Sequence, residues 1–313
     1  MFSSGERVVS PAEPDGFSRL GKLQLHAILV CLISRVIRGS EPVWSDMMAA
    51  VRLAIHGAAG RMGKRLVALA GQDSGLTVMA AIEHAACPAL GQDAGVSAGV
   101  PALGVPLSAA WPDGIQAAID FSSPQGCMAA IDHCTTAGIP LVVATTGLTP
   151  EQIEQVKAAG KKIPVCWAPN MSLAVNLTMR LVQQAAKVLK NVPQGVDVEI
   201  IERHHRYKED SPSGTALKFG DLVAQEMGLT EHVHGREGQC GARTKNEIGY
   251  HAVRTGDDPG QHTIIFGMLG ETIELRVAAS NRDCYAQGAL AAAKFLVGKP
   301  IGVYSMFDVL GLD

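Results

Sequence analysis

The stretch from Val51 to Glu83 constrains this chain most. A short apolar strand over residues 51–56 runs into Gly57-x-x-Gly60-x-x-Gly63, and an amphipathic helix follows over 64–70. A second strand over 76–82 ends in Glu83, twenty residues past Gly63. Glycines at that spacing let a backbone turn tightly and approach a pyrophosphate, which then rests on the helix N-terminus. An acid at the end of the second strand meets the ribose hydroxyls of the same ligand. The run lacks the usual G-x-G opening, so the glycines alone say little. The order strand, glycines, helix, strand, acid carries the dinucleotide reading.

The same alternation continues. Residues 115–121, 139–144 and 163–168 read as strands, and a helix runs from Pro124 to about Ala137. Thr149-Pro150-Glu151-Gln152 opens another helix, with an N-cap threonine, proline at the first position and glutamine three residues after the cap. Strands alternating with helices predict an α/β fold with a parallel, doubly wound sheet. Its ligands bind outside the carboxyl ends of the strands. Gly57 to Met62, Glu83, Phe121 with Ser122, Thr145 with Thr146, and Asn170 all fall at such ends.

The pattern changes after Asn170. A long helix covers 172–189, and strands follow at 196–201, 248–253, 262–268 and 272–278. The last three have no long helices between them, which predicts an antiparallel or mixed open sheet. One long and one shorter helix can cover one face only, so the other face is expected to meet a second subunit. A last helix over 283–297 is expected to return to the first domain.

Between the first two of those strands lies Glu202-Arg-His204-His205-Arg206-Tyr207-Lys208-Glu-Asp210-Ser-Pro-Ser213-Gly214-Thr215-Ala216. Two histidines, arginine and lysine precede a helix over 216–227 that Gly228 closes. Free N–H groups at a helix start bind anions, and the cations upstream reinforce them. The segment reads as a pocket for a small, multiply anionic substrate with a proton donor beside it. A solvated basic turn is the alternative, and the dinucleotide motif elsewhere favours the pocket. A metal site built from His204 and His205 with Glu202 or Asp210 is disfavoured, because neighbours on a strand face opposite ways. No metal is expected.

A chain of 313 residues suffices for two domains with real cores. A net charge of −3 argues against nucleic acid as a partner. The seven cysteines are scattered and form no C-x-x-C pair, which points to buried thiols in a reducing, cytoplasmic compartment. Residues 1–46 differ from the rest. Their apolar run, Ala27 to Ile33, is too short to span a bilayer, and it lacks a convincing cleavage site for a signal peptide. The reading is a flexible extension that the fold does not need, with no membrane partner. Met47-Met48 stands just before the first strand.

Over residues 50–313 the chain resembles the dihydrodipicolinate reductase family. The resemblance rests on Gly57-Ala58-Ala59-Gly60-Arg61-Met62-Gly63, Asp120-Phe121-Ser122, Thr145-Thr146-Gly147, Asn170-Met171-Ser172 and above all Glu202 to Ala216. It implies a Rossmann-like cofactor domain over 49–171 and 283–313, and a mixed-sheet α+β domain over 172–282 that binds substrate and assembles a homotetramer. It implies NADH or NADPH as cofactor and a small dicarboxylate as substrate, in lysine and diaminopimelate biosynthesis. His204 matches the family's catalytic histidine and Lys208 its catalytic lysine, while His205, Ser213, Gly214 and Thr215 match the substrate-holding stretch. Gly57 to Met62, Glu83, Phe121, the turn Ala144-Thr145-Thr146 and the turn Ala168-Pro169-Asn170-Met171 match cofactor contacts. Ala144 departs from the family's usual glycine. The arginines of members that use NADPH well are replaced by His84 and Ser123, so NADH is expected to be preferred or equal. A two-domain dehydrogenase of an amino-acid-derived carbonyl and a nucleotide-sensing protein without chemistry are the other readings. Neither needs the set of His204, Lys208 and Ser213-Gly214-Thr215.

Overall fold

The computed structural model describes residues 50–312, so the extension expected over residues 1–48 lies outside the described residues. The apolar run at the start forms β1 (Val51–His56), with Leu53, Ala54 and Ile55 fully buried. Then come α1 (Arg61–Ala70), β2 (Leu76–Ile82), α2 (Ala94–Ser97), β3 (Leu107–Ser108), β4 (Ala117–Asp120) and α3 (Pro124–Ala137). They are followed by β5 (Leu141–Val143), α4 (Pro150–Ala159), β6 (Pro164–Trp167) and α5 (Leu173–Leu189). Next are β7 (Asp197–His204), α6 (Gly214–Met227), β8 (Glu231–His234), β9 (Glu247–Arg254), β10 (Gln261–Met268) and β11 (Glu271–Ala278). The chain closes with α7 (Asp283–Leu296), β12 (Gly302–Tyr304) and α8 (Met306–Leu310).

Seven strands make one sheet in the order β12-β6-β5-β4-β1-β2-β3, and every pairing in it is parallel. The strand order reverses between β1 and β4, which defines the crevice where such sheets bind ligands. Helix α7 packs on this sheet. Its Ala286, Ala289, Leu290 and Ala293 share a core with Leu53, Ile119, Val142 and Cys166. Alanines and glycine on α7 let it approach closely, since a Cβ on Gly288 would overlap the Met171 carbonyl.

Five strands make the second sheet in the order β11-β10-β7-β9-β8. It is mixed: β10 runs antiparallel to both its neighbours, and β7, β9 and β8 are parallel. Helices α5 and α6 cover one face, packing Val175, Met179, Val182, Phe219 and Val223 on Val198, Ile200, Ile248, Ile264 and Phe266. The other face carries Glu199, Ile201, Arg203, His251 and Val253, and Ile201 and Val253 are 39% and 42% exposed.

Local sequence rules account for most boundaries. Thr149 and Gln152 form the expected capping box on α4, Ser172 and Ser213 cap α5 and α6, and Gly228 ends α6 in the left-handed region. Three differences matter. Helix α1 starts at Arg61, not Lys64, because Gly60 serves as its N-cap. Strand β7 runs on through His204, because Glu202 and His204 continue its buried alternation as polar groups. The short elements α2, β3, β8, β12 and α8 are too brief to leave a periodic pattern. Among the described cysteines, Cys127, Cys134 and Cys166 are buried, Cys87 and Cys284 are partly covered, and Cys240 is exposed. No helix among the described residues is long and apolar enough to cross a membrane.

Candidate functional site

The crevice between β1 and β4 is closed by backbone. Gly57 N–H and Ala58 N–H donate to the Ile82 carbonyl at 2.9 and 3.2 Å, and Phe121 N–H donates to the His56 carbonyl at 3.1 Å. Gly57 has φ +78°, and a Cβ there would stand 2.7 Å from the Phe121 carbonyl oxygen. A Cβ on Gly63 would stand 2.6 Å from Ala58 Cα. Both obstacles are main chain, so only glycine lets α1 press onto the end of β1. Side-chain oxygens of Ser123, Thr149, Ser172 and Ser213 cap α3 to α6. Helix α1 begins at Gly60 with no side-chain cap, which leaves its first N–H groups for an anion. Loop and helix start together fit a dinucleotide pyrophosphate. Glu83 Oε1 accepts from Ala59 N–H at 2.7 Å and Oε2 from His84 N–H at 3.2 Å, which holds the acid against the loop.

Behind this edge lies a hub of buried polar groups. Asp120 accepts from Thr145 Oγ1 at 2.6 Å and from Ser122 Oγ at 2.5 Å, and its Oδ1 lies 2.7 Å from His56 Nδ1. Ser122 N–H donates to Thr145 Oγ1 at 2.9 Å. These bonds tie together the turns that follow β1, β4 and β5.

The second half is built from charge. His204 ends β7, and its Nδ1 lies 2.6 Å from Glu202 Oε2. Glu202 is almost fully buried, and its carboxylate also accepts from both Arg254 terminal nitrogens at 2.7 and 2.8 Å and from Ser213 N–H at 3.0 Å. Burial on its own would raise the Glu202 pKa. Hydrogen bonds from His204 and Arg254 overcome it and hold the group down at about 2. Ser213 Oγ accepts from Ala216 N–H at 3.1 Å and lies 2.9 Å from His262 Nε2. Burial, with the neighbouring His204, pushes His262 down to about 4, so this imidazole is neutral at neutral pH. Lys208 Nζ donates to Asp210 Oδ1 at 2.7 Å, a pairing that lowers the Asp210 pKa. His205 Nδ1 is buried without a partner among the described residues. Asn170 Nδ2 donates to Thr215 Oγ1 at 3.2 Å, joining the turn after β6 to the start of α6.

Both halves open onto one cavity of about 680 Å³. From the first half Arg61, Met62, Phe121, Ala144, Thr146, Pro169, Asn170 and Met171 line it. From the second come His204, His205, Lys208, Ser213, Gly214 and Thr215. Gly57, Ala58, Ala59, Gly60 and Glu83 follow the same strand edge but lie outside this lining, and Thr145 and Ala168 are buried behind it. Contrary to the expectation, His204 and His205 are not kept apart by strand alternation. The strand stops at His204, alternation stops with it, and both residues line the cavity. Among the described residues no group of three or more His, Cys, Asp or Glu is placed to hold a metal.

Sequence reasoning missed Lys218, Arg282 and Tyr285, which also line the cavity. Lys218 follows Thr215 by one helical turn, a spacing that could have found it. Arg282 precedes α7 without any motif around it. Burial raises the Tyr285 pKa.

A glycine-loop parallel sheet facing a cationic helix start across one cavity defines a class, the oxidoreductases that use a nicotinamide dinucleotide. The comparisons narrow it. The family model "Dihydrodipicolinate reductase, N-terminus" matches residues 51–171, and "Dihydrodipicolinate reductase, C-terminus" matches 174–310. A 4-hydroxy-tetrahydrodipicolinate reductase of Rhodopirellula baltica is 57% identical over 277 residues, covering 86% of this chain and 99% of its own. One from Syntrophotalea carbinolica is 44% identical over 268 residues, covering 84% and 99%. The chain belongs to the dihydrodipicolinate reductase family. Among solved structures, the dipicolinate-bound dihydrodipicolinate reductase from Paenisporosarcina sp. TG-14 has a TM-score of 0.63 at 23% identity, over 83% of this chain and 98% of that one. GenD2 from gentamicin A biosynthesis, in complex with NAD, has a TM-score of 0.55 at 12% identity, over 88% and 94%. At those identities the two structures support the fold alone.

Proposed function

We propose that this protein reduces 4-hydroxy-tetrahydrodipicolinate to tetrahydrodipicolinate, in lysine and diaminopimelate biosynthesis, using NADH at least as well as NADPH. One observation carries the reading. His204, Lys208 and the Ser213-Gly214-Thr215 helix start share a cavity with the residues flanking the glycine loop. In this reading Gly57 to Met62, Glu83, Phe121, Ala144 to Thr146 and Ala168 to Met171 hold the dinucleotide. When bound, its nicotinamide supplies a hydride. The N–H groups that open α6 and the Thr215 hydroxyl hold a substrate carboxylate. Lys208 and His205 hold and orient the rest of the dicarboxylate. His204 and Lys208 are placed to deliver the proton that the ring takes up with the hydride, while the 4-hydroxyl group leaves as water.

Residues 49–171 with 283–313 are assigned to cofactor and 172–282 to substrate. The face of the second sheet opposite α5 and α6, with Ile201 and Val253 exposed, is assigned to a homotetramer contact, and the buried free thiols support a cytoplasmic enzyme. The test is turnover by the purified full chain with freshly condensed aspartate-semialdehyde and pyruvate. Nicotinamide absorbance should fall only when that product is present, and dipicolinate should compete with it. Folded protein that leaves the absorbance of both cofactors unchanged would overturn the reading.

A further inference from the structure

We infer that Glu202 is a positioning residue, whose carboxylate fixes the His204 tautomer and couples that ring to the anion-binding start of α6. The inference rests on the proposed proton-donor role of His204. A carboxylate accepts and cannot donate, so the 2.6 Å contact places a hydrogen on His204 Nδ1. Nε2 then faces the reacting group: as the imidazolium the ring gives up its Nε2 proton, and it is left as the neutral Nδ1–H tautomer that Glu202 holds. Gly260 keeps that atom clear, since a Cβ there would stand 2.8 Å from Nε2.

The other bonds to Glu202 fix the carboxylate in turn. Arg254 grips both oxygens and also donates to the Asp210 carbonyl at 2.7 Å, next to the Lys208 ion pair. Ser213 N–H takes Oε1, while His204 takes Oε2. One rigid group therefore sets the distance between the proton-bearing ring and the residue that caps α6. Four hydrogen bonds from three residues leave the carboxylate no free direction. A glutamine at this position offers one acceptor oxygen and turns an amide NH₂ toward one of those donors. His204 can relieve that clash by moving its hydrogen to Nε2, which is the wrong tautomer.

The experiment is a double-mutant cycle in the full chain. Glu202→Gln should lower kcat about a hundredfold, with cofactor affinity unchanged. In a His204→Gln background the same change should cost less than about threefold, because its effect passes through His204. An equal loss in both backgrounds would refute the coupling, since a purely structural defect acts whether or not the ring is present. If Glu202→Gln does not fold, Glu202→Asp keeps the charge for Arg254 and withdraws it from Nδ1. It should lower kcat about tenfold or more and show the same non-additivity, and wild-type kcat in it would refute the inference. Histidine ¹⁵N spectra read the tautomer without turnover. Wild type should show His204 carrying its hydrogen on Nδ1, and Glu202→Gln should lose that signal. Inactive wild type with the expected spectra would sink the proposed function and leave the Glu202 contact standing. Active wild type with a His204 that carries no hydrogen on Nδ1 would do the reverse.

Discussion

The two sides of the cavity, each assigned an anionic ligand in the proposed function, are built by different means. The glycine-loop side is built from main chain. Gly57 and Gly63 are there because a Cβ has no room, and α1 begins without a side-chain cap. The α6 side is built from charge. Glu202, Arg254, His204 and Lys208 stand within one network, and buried His262 is held neutral behind it. Sterics should therefore dominate failures on one side, and protons on the other.

The largest effect should come from the charged side. Replacing His204 by Gln or Lys208 by Ala should lower kcat by about 10² or more, the usual scale for a positioned proton donor. Cofactor affinity should hardly change. Near-normal kcat in His204→Gln would remove the proton-donor role, and a matching loss of cofactor affinity would show that the two sides are not separable.

Gly63→Ala tests the steric side. The added Cβ meets backbone of Gly57 and Ala58 rather than a movable side chain, so α1 must shift from β1. Overpacking of this kind costs about 1–3 kcal/mol. Cofactor affinity should fall by a similar free energy, read by fluorescence titration, while dipicolinate binding is spared. An unchanged cofactor affinity would mean that close approach of α1 is not what the ligand requires.

How much of this was legible in the sequence follows from distance along the chain. The glycine loop, the capped start at Thr149, and the basic run ending in Ser-Gly-Thr are local patterns, and they stand where local rules place them. The Glu202–Arg254 grip joins residues on neighbouring strands far apart in sequence, and no spacing announces it. The Asp120 hub is similar: its partners His56 and Thr145 come from two other strand ends. Arg282 reaches the cavity only because α7 folds back onto the first sheet. The extent of β7 is not legible in the sequence, for a physical reason. Its last buried positions are Glu202 and His204, polar residues that an apolar pattern cannot count.

Acid should separate the two sides by stability. The folded pKa of His262 lies at about 4, below its ordinary 6.5. Between those values the unfolded chain binds a proton that the folded chain refuses, so stability falls as pH drops through that window. The loss between about pH 7 and about pH 5 should be on the order of 1–2 kcal/mol. Glu202 adds a further loss as pH falls from its ordinary 4.5 toward about 2. Urea unfolding at the two pH values measures the first effect. His262→Gln, which takes up no proton, should lose less stability over the same interval. An equal loss would place the acid-sensitive group elsewhere.

The smallest effect concerns the choice between cofactors, and it lies on the steric side. Glu83 is held against the loop by Ala59 N–H, where its charge can accept from ribose hydroxyls and repels a 2′-phosphate. His84 Nδ1 accepts from Ala86 N–H at 3.1 Å in its own turn, and Ser123 Oγ caps α3 by accepting from Gly126 N–H. Neither can grip a phosphate as a bidentate arginine does. NADH should therefore bind at least as well as NADPH, with a ratio under about tenfold, since one exposed charge contact is worth roughly 0.2–1 kcal/mol. His84→Arg combined with Ser123→Arg should move the ratio toward NADPH, and Gly63→Ala should weaken both cofactors alike. Competitive titration of the two cofactors at neutral pH gives the ratio directly. A tenfold or greater preference for NADPH in the wild type would show that Arg61 or Lys64 supplies the missing cation. Charge would then govern the glycine-loop side as well.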